Sequence, residues 1–132
     1  MPIKQIQRSV PAKQFYRNTS FEAQAASWLT RDGWEVFTPT IDHDMKTDLL
    51  VSDGSNYYRI QIKTVNTTEE TIQVTNLWRG KNIDYVIYFS TQANWGYIAK
   101  AFSSRKKRIN HPEHIRFHQH PKHFIKAFSQ MD

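Results

Sequence analysis

The most regular pattern of apolar and polar positions lies in the middle of the chain. A short apolar run opened by Asp48 is followed by a polar segment containing Gly54 and then by the alternating run 57–63. Two such runs joined by a glycine-containing loop are typical of a β-hairpin. Because side chains alternate between the two faces of a strand, Gln61 and Lys63 are predicted to share one face. Asp48 is predicted to lie across from them, so that three polar side chains meet at one spot.

Helical spacing precedes the hairpin. Ser20 is a suitable N-cap and Gly33 is suited to end a helix. The predicted apolar stripe of this helix consists of Phe21, Ala25, Trp28 and Leu29. Residues 1–18 carry basic and polar side chains and are predicted to form an extended basic arm or a frayed terminus. Residues 34–37 are predicted to form the first strand.

The run 85–89 is almost uniformly apolar, which predicts a central strand covered on both faces. The same patterns predict further elements: strands at 71–75 and 97–99, a turn at 94–96, room for one helical turn in 76–82, and a helix at 122–128. We therefore divide the chain into the basic arm 1–18, a core at 19–102, and a basic, histidine-rich extension of the same domain at 103–132.

Composition and charge narrow the class of protein. With 132 residues and 39% hydrophobic content, the chain is predicted to form one globular domain. It has no cysteine, which excludes disulfides and thiolate metal sites. The first residues lack the apolar core of a signal peptide, and no apolar run approaches the roughly 20 residues of a membrane span. We expect a cytoplasmic protein of a bacterial, archaeal or phage-infected cell, with no membrane partner.

The net charge of +6, with a sequence pI near 9.7, favours a polyanionic partner, for which DNA is the first candidate. The predicted nucleic-acid contacts are the basic residues Lys4, Arg8, Arg79, Lys81, Arg105, Lys106, Lys107 and Arg108. For the run 105–108, a plain solvated charge cluster is the alternative. No glycine-rich phosphate loop or nucleophile elbow is present, which argues against nucleotide hydrolysis and acyl transfer, and we expect no organic cofactor.

The three polar side chains of the hairpin suggest a chemistry. A carboxylate from Asp48, an amide oxygen from Gln61 and an ammonium from Lys63 would suit a hard divalent cation and a phosphodiester. Each residue alone also has an ordinary explanation. An aspartate at the start of a strand can satisfy a nearby amide, and glutamine and lysine alternate on many solvated sheet faces.

This arrangement resembles the PD-(D/E)XK nuclease superfamily, in which an acidic residue opens one strand and an acid-x-Lys triplet lies on the next. Thr47-Asp48 matches the first element, Gln61-Ile62-Lys63 the second, and Glu22 a helical glutamate of the Holliday-junction-resolvase-like branch. The likeness covers roughly residues 20–100. Two positions depart from the pattern: threonine replaces the usual proline, and glutamine replaces the usual acid. Some intron-encoded homing endonucleases share that glutamine, but it is also a route to an inactive nuclease.

The resemblance implies a single restriction-endonuclease-like α/β domain, with a mixed central sheet flanked by helices. The family usually has a full second helix between the third and later core strands, but only a short segment is available here, so we expect a trimmed core. It implies a metal-dependent DNA endonuclease, similar to small homing endonucleases or to Holliday junction resolvases. Mg²⁺, with Mn²⁺ as a substitute, would be held by Asp48, Gln61, Glu22 and the backbone oxygen of Ile62. Lys63 would position water or stabilise developing phosphorane charge. Because two strands need two active sites, a homodimer or higher homo-oligomer is expected.

Two other functions remain open. The chain could be a catalytically silent nuclease fold that binds nucleic acid or a protein partner through its basic surface, and Gln61 keeps that alternative alive. It could also be a phage-encoded interaction protein that mimics or blocks another factor.

Three minor features complete the sequence picture. The histidines of the C-terminal third are His111, His114, His118, His120 and His123. They have no cysteine partners and no H-E-x-x-H spacing, so a pH-sensitive contact surface is favoured over structural zinc. Trp95 at a hairpin tip could stack on a base or pack locally. Asp42 and Asp44 are predicted at the edge of the site, and His43 is a possible auxiliary contact there.

Overall fold

A computed structural model describes residues 1–131; Asp132, the last residue of the predicted extension, lies outside them. The described chain forms two helices and eight strands, in the order α1 (Val10–Arg31), β1 (Glu35–Phe37), β2 (Leu49–Ser52), β3 (Tyr57–Val65), β4 (Gln73–Thr75), β5 (Tyr85–Ser90), β6 (Trp95–Lys100), β7 (Lys106–Arg108), β8 (Ile115–His118) and α2 (Pro121–Ser129). Neither helix is long and apolar enough to cross a membrane.

Six strands form one mixed sheet in the order β1-β2-β3-β5-β6-β8. The predicted hairpin is confirmed: β2 and β3 pair antiparallel, with Leu49 opposite Ile60. The predicted central strand is confirmed as well. All six residues of β5 are buried, and β5 pairs parallel with β3, so that Gln61 lies beside Val86. The remaining strands, β4 and β7, form a separate two-stranded sheet.

The sheet separates two apolar cores. The first lies between one face of the sheet and both helices, where Phe89 packs against Phe21 and Trp28 with ring centroids 5.1 and 6.1 Å apart. The second core covers the opposite face, beneath β4, β7 and their loops, and includes Val86 and Tyr88. The α/β class and the mixed sheet are therefore as predicted, but both helices flank the same face.

The prediction for the N-terminus is partly wrong: residues 1–9 are exposed and form no helix or strand, but residues 10–18 are helical. Helix α1 begins at Val10, inside the predicted arm, because Ser9 caps it by accepting a hydrogen bond from the backbone N–H of Ala12 at 3.3 Å. Pro11 in the first turn is a further start signal. Ser20 is not a cap; its hydroxyl donates to the backbone oxygen of Arg17 at 2.6 Å. The early turns lack an apolar stripe since they do not pack on the core, and hydrophobic spacing could not reveal them.

The predicted turn at 94–96 is also partly wrong, because β6 already begins at Trp95. The Trp95 side chain is buried and donates from its indole N–H to the backbone oxygen of Thr68 at 3.3 Å, so it is not placed to stack on a base. Gly96 suggested a turn but serves close packing. A Cβ there would lie 2.5 Å from the carbonyl oxygen of Tyr88 and would collide with the Phe117 ring.

The C-terminal third contains structure that the sequence did not reveal. The basic run includes β7, and β8 extends the main sheet beside β6, with Trp95 opposite His118. β7 consists of three consecutive basic residues, and β8 is a run of four residues among histidines. Neither segment has the apolar–polar alternation that predicts a strand. Residues 76–82 contain turns but no helix, whereas the predicted helix at 122–128 is confirmed as α2.

Candidate functional site

The five residues of the predicted site line one open cleft with a volume of about 710 Å³. The cleft is bounded by the N-terminal half of α1, by the loop 42–46 and by β3. Its predicted members are Glu22, Asp48, Gln61, Ile62 and Lys63, and its other lining residues are Gln14, Phe15, Asn18, Thr19, Asp42, Asp44, Lys46, Thr64 and Leu77. The hairpin and the helix thus bring the candidate residues together.

Asp48 is held by the edge of the hairpin. Its backbone N–H donates to the oxygen of Ile60 at 2.9 Å, and its carboxylate Oδ2 accepts from the N–H of Ile62 at 2.7 Å. Burial raises the pKa of the Asp48 carboxyl, against the opposing effects of the Ile62 hydrogen bond and the Lys63 charge. One oxygen of Asp48 therefore satisfies a nearby backbone amide, as expected for an aspartate at the start of a strand. Within residues 1–131, the other oxygen has no hydrogen-bond partner and remains for a ligand.

Gln61 is the most informative residue of the cleft. Its side chain is only 3% exposed, so it does not lie on a solvated sheet face. Its amide oxygen Oε1 is buried and has no hydrogen-bond partner in the described part of the chain. A buried, unpaired acceptor is costly and uncommon in folded proteins. Since amide oxygens are good ligands for hard cations, the cleft fits a divalent metal ion.

Glu22 reaches the cleft from α1. Burial and, to a smaller extent, the negative charge of Asp48 together raise the pKa of its carboxyl to about 7, against the opposing Lys63 charge. Two acidic side chains thus meet at a partly buried place where one lysine compensates them only in part. Such a group of carboxylates is typical of a functional site that gains a cation.

The loop 42–46 supplies another wall. Asp44 and Lys46 adopt left-handed backbone with φ of 63° and 66°, which is uncommon for residues other than glycine. The Lys46 ammonium lies 3.1 Å from Asp44 and holds the pKa of that carboxyl below its usual value. Asp42 and Asp44 line the cleft as the sequence predicted. Lys46 was not predicted from the sequence as a cleft residue, because only the backbone conformation of this loop directs its side chain toward the cleft.

The other predicted basic contacts lie outside the cleft lining. The nearest is Lys81, whose ammonium is 3.9 Å from the Asp44 carboxylate, and Arg79 is exposed in the same loop. Arg8 lies over the Tyr16 ring at 4.7 Å. The remaining ones are the exposed Lys4, Arg105, Lys106 and Arg108 and the partly buried Lys107, whose ammonium lies 3.7 Å from the Glu113 carboxylate. Their contact with nucleic acid stays a prediction.

The histidines form no metal centre. His114 is buried, with Nδ1 2.8 Å from the backbone oxygen of Ile109. His123 lies beside His118 and His120, with ring centroids 5.2 and 5.1 Å away. Across residues 1–131, no three or more histidine, cysteine, aspartate or glutamate side chains are arranged to hold a metal ion. A metal ion in the cleft would therefore need the Gln61 amide or backbone oxygens in addition to its carboxylates.

No protein-family model and no curated protein sequence matches this chain. Among solved structures, it is similar to the bacterial homing endonuclease I-Ssp6803I, with a TM-score of 0.55 and 17% identity over 86% of this chain and 78% of that one. The chain has the restriction-endonuclease-like fold. This fold is the one predicted from the hairpin motif. The Holliday junction resolvase Hjc of Archaeoglobus fulgidus is also similar, with a TM-score of 0.48 and 16% identity over 68% of this chain and 80% of that one.

Replacing Glu22 with glutamine should stabilise the metal-free protein at neutral and higher pH. A carboxyl whose pKa rises to about 7 on folding binds more protons when folded, so stability falls as pH rises from about 4.5 to above 7. The side chain is partly exposed, and we expect the stability of the wild type to fall by about 1–2 kcal/mol more than that of Glu22→Gln. Urea unfolding between pH 5 and 8 in EDTA measures this. Parallel pH profiles of the two proteins would contradict it.

Proposed function

We propose that the protein is a metal-dependent DNA endonuclease and that this cleft is its active site. The observation that carries the proposal is the buried, unpaired Gln61 Oε1 in the same cleft as Asp48 and Glu22. Two further facts support it. The fold is shared with a protein named as a homing endonuclease, and a net charge of +6 favours a polyanionic substrate.

The residues that would hold a divalent cation are Asp48, Gln61 through Oε1, Ile62 through its backbone oxygen, and Glu22 directly or through water. A Mg²⁺ ion in this place would neutralise charge on the scissile phosphate and help to activate water. With an amide in place of one carboxylate, the set carries one negative charge fewer. We therefore expect weak Mg²⁺ affinity and a stronger response to Mn²⁺, which binds oxygen and nitrogen ligands more tightly.

Lys63 is the residue that would act on the reacting phosphate. It follows Gln61 on the same face of β3 and lies close enough to Glu22 and Asp48 for its charge to oppose the rise in the pKa of both carboxyls. Among residues 1–131 it forms no ion pair within 4.0 Å, so its ammonium is available to a substrate. There it would orient the attacking water or stabilise the charge that develops on the phosphate oxygens.

Cleavage of both DNA strands requires two such sites. Because each chain supplies one cleft, we propose that the active species is a homodimer or a higher homo-oligomer, with its clefts placed on opposite strands.

The direct test is cleavage of supercoiled plasmid, linear duplex and four-way junction in Mg²⁺, Mn²⁺ or EDTA. Metal-dependent cutting supports the proposal, and the preferred substrate separates homing-type from junction-type activity. Retained DNA binding without cutting in any metal would instead support the catalytically silent alternative, which the glutamine in place of the usual acid keeps open.

Replacing Gln61 with glutamate separates an adapted enzyme from a silent relative. If the amide belongs to a working site, the added charge should tighten Mg²⁺ binding about tenfold and change the cleavage rate by less than about tenfold. A silent relative should gain activity from undetectable levels. Mg²⁺ titrations followed by calorimetry and plasmid nicking measure both quantities. Unchanged Mg²⁺ affinity would show that position 61 does not contact the metal.

A further inference from the structure

Two large apolar side chains project into the cleft without belonging to either core. Phe15, from the second turn of α1, is 68% exposed, and Leu77, from the loop after β4, is 52% exposed. Both line the cleft that contains Asp48 and Lys63. Exposed apolar side chains are common singly, but two that line the same cleft form a patch suited to a ligand.

The helix that carries Phe15 also carries amides that line this cleft and cations that line an adjoining one. Gln14 and Asn18 line the large cleft and also a second, adjoining cleft of about 260 Å³, whose walls include Lys13 and Arg17. Asn18 and Thr64 contact each other through their side-chain oxygens at 3.1 Å, which ties the helix to β3. The N-terminal half of α1 is therefore fixed beside the site and presents positive charge next to an aromatic ring.

A positively charged groove with an exposed aromatic ring is the usual means of holding an unpaired nucleotide. The cations follow the phosphates, and the ring stacks on a base face. In an intact duplex both faces of each base are covered by neighbouring bases. An apolar side chain beside the DNA backbone can contact a base face only where a base step opens. Phe15 and Leu77 thus match a DNA whose stacking is interrupted.

We propose that Phe15 and Leu77 contact an unstacked base next to the scissile phosphate, and that the substrate class is DNA with a pre-existing interruption there, such as a branch, flap or bulge. Lys13 and Arg17 bind the phosphates that lead to this base. This inference rests on the proposed DNA substrate and adds the form of DNA that the cleft accepts.

A second copy of the chain would fit this cleft less well. Apart from the two apolar side chains, the lining is mostly polar or charged, with Asp42, Asp44 and Lys46 on one wall. Charged residues are depleted from the centres of protein interfaces. A base has apolar faces, which can contact Phe15 and Leu77, and polar edges, which can hydrogen-bond to the polar lining residues.

The test compares binding of a bulged duplex and a matched intact duplex in EDTA, with 2-aminopurine at the bulge to report base stacking. Wild type should bind the bulged DNA at least about tenfold more tightly and change the 2-aminopurine fluorescence. Phe15→Ala should reduce this preference to below about threefold, and binding of this variant should no longer change the 2-aminopurine fluorescence. The matched control is Phe37→Ala, because Phe37 is also an exposed aromatic residue but does not line the cleft.

Three results would overturn the inference: equal affinity for both DNAs, an unaltered preference in Phe15→Ala, or a change only in oligomeric state by sedimentation. The last would identify the face as a subunit interface. The binding assay needs no cleavage, so the two proposals can fail separately. Phe15-dependent binding of bulged DNA without cutting refutes the nuclease activity alone. Cutting of intact duplex that ignores Phe15→Ala refutes this inference alone.

Discussion

Replacing Lys63 with alanine should reduce DNA cleavage about 10²–10³-fold, while DNA affinity and metal affinity change by less than about threefold. The lysine shares a face of β3 with Gln61, and its charge acts on both carboxyls of the cleft. Because the lysine acts on the reacting phosphate, it should stabilise mainly the transition state of cleavage, where negative charge develops on the phosphate oxygens. Single-turnover cleavage with saturating enzyme isolates that step from binding.

The matched control for this experiment is Lys100→Ala. Lys100 is an exposed strand lysine at the end of β6, and it does not line the cleft. Removing either lysine lowers the net charge of the protein equally, so a shared loss of activity would reflect weaker general attraction to DNA. A Lys63→Ala protein that cleaves at the wild-type rate would remove this residue from the proposed mechanism.

Replacing Asp48 with asparagine should abolish metal-dependent behaviour while leaving the fold intact. Asparagine still offers an oxygen to the N–H of Ile62, which donates to Asp48 Oδ2 at 2.7 Å, so the edge of the hairpin keeps its hydrogen bond. The lost negative charge should weaken Mg²⁺ binding by at least about tenfold and cleavage by about 10³-fold. The rise in melting temperature on adding Mg²⁺, expected for wild type, should disappear as well.

Asp53→Asn provides the control for that substitution. Asp53 lies in the turn between β2 and β3, where its Oδ1 accepts from the N–H groups of Ser55 and Asn56 at 2.8 and 2.7 Å. The change is chemically identical and lies in the same hairpin, but outside the cleft. Thermal unfolding with and without Mg²⁺ compares the variants. Equal metal-induced stabilisation of Asp48→Asn and wild type would show that Asp48 is not a ligand.

The polar cleft also has a cost for the metal-free protein. Glu22 has a raised pKa, and Gln61 has an unpaired buried oxygen, so two groups in one cleft are poorly satisfied by the protein alone. A ligand that satisfies them binds the folded state only and stabilises it. Function and stability are therefore expected to be opposed in this cleft.

The hairpin could be predicted from sequence because its signals are local. Alternation in 57–63, a glycine-containing turn and the opening Asp48 together determine which side chains face each other, and the register of β2 on β3 agrees. The apolar stripe of α1 was also visible, since Ala25, Trp28 and Leu29 repeat at helical spacing and are all buried.

The rest of the cleft depends on long-range packing that periodicity does not encode. The first turns of α1 carry Gln14 and Asn18 into the cleft, yet they pack on no core and show no apolar stripe. Lys46 depends on the left-handed backbone of its loop. Gln61 is buried because β5 pairs with β3. These two strands are far apart in sequence, so local patterns do not predict that they pair.

In the proposed divalent-metal site, an amide oxygen takes the place of a carboxylate. Anomalous diffraction from crystals soaked in Mn²⁺ tests this most directly, since it locates the ion independently of activity. We predict one peak in the cleft, within coordination distance of the Asp48 carboxylate, the Gln61 Oε1 and the Ile62 backbone oxygen. A cleft without a peak at saturating Mn²⁺, or an ion bound with the Gln61 amide turned away from it, would contradict the account.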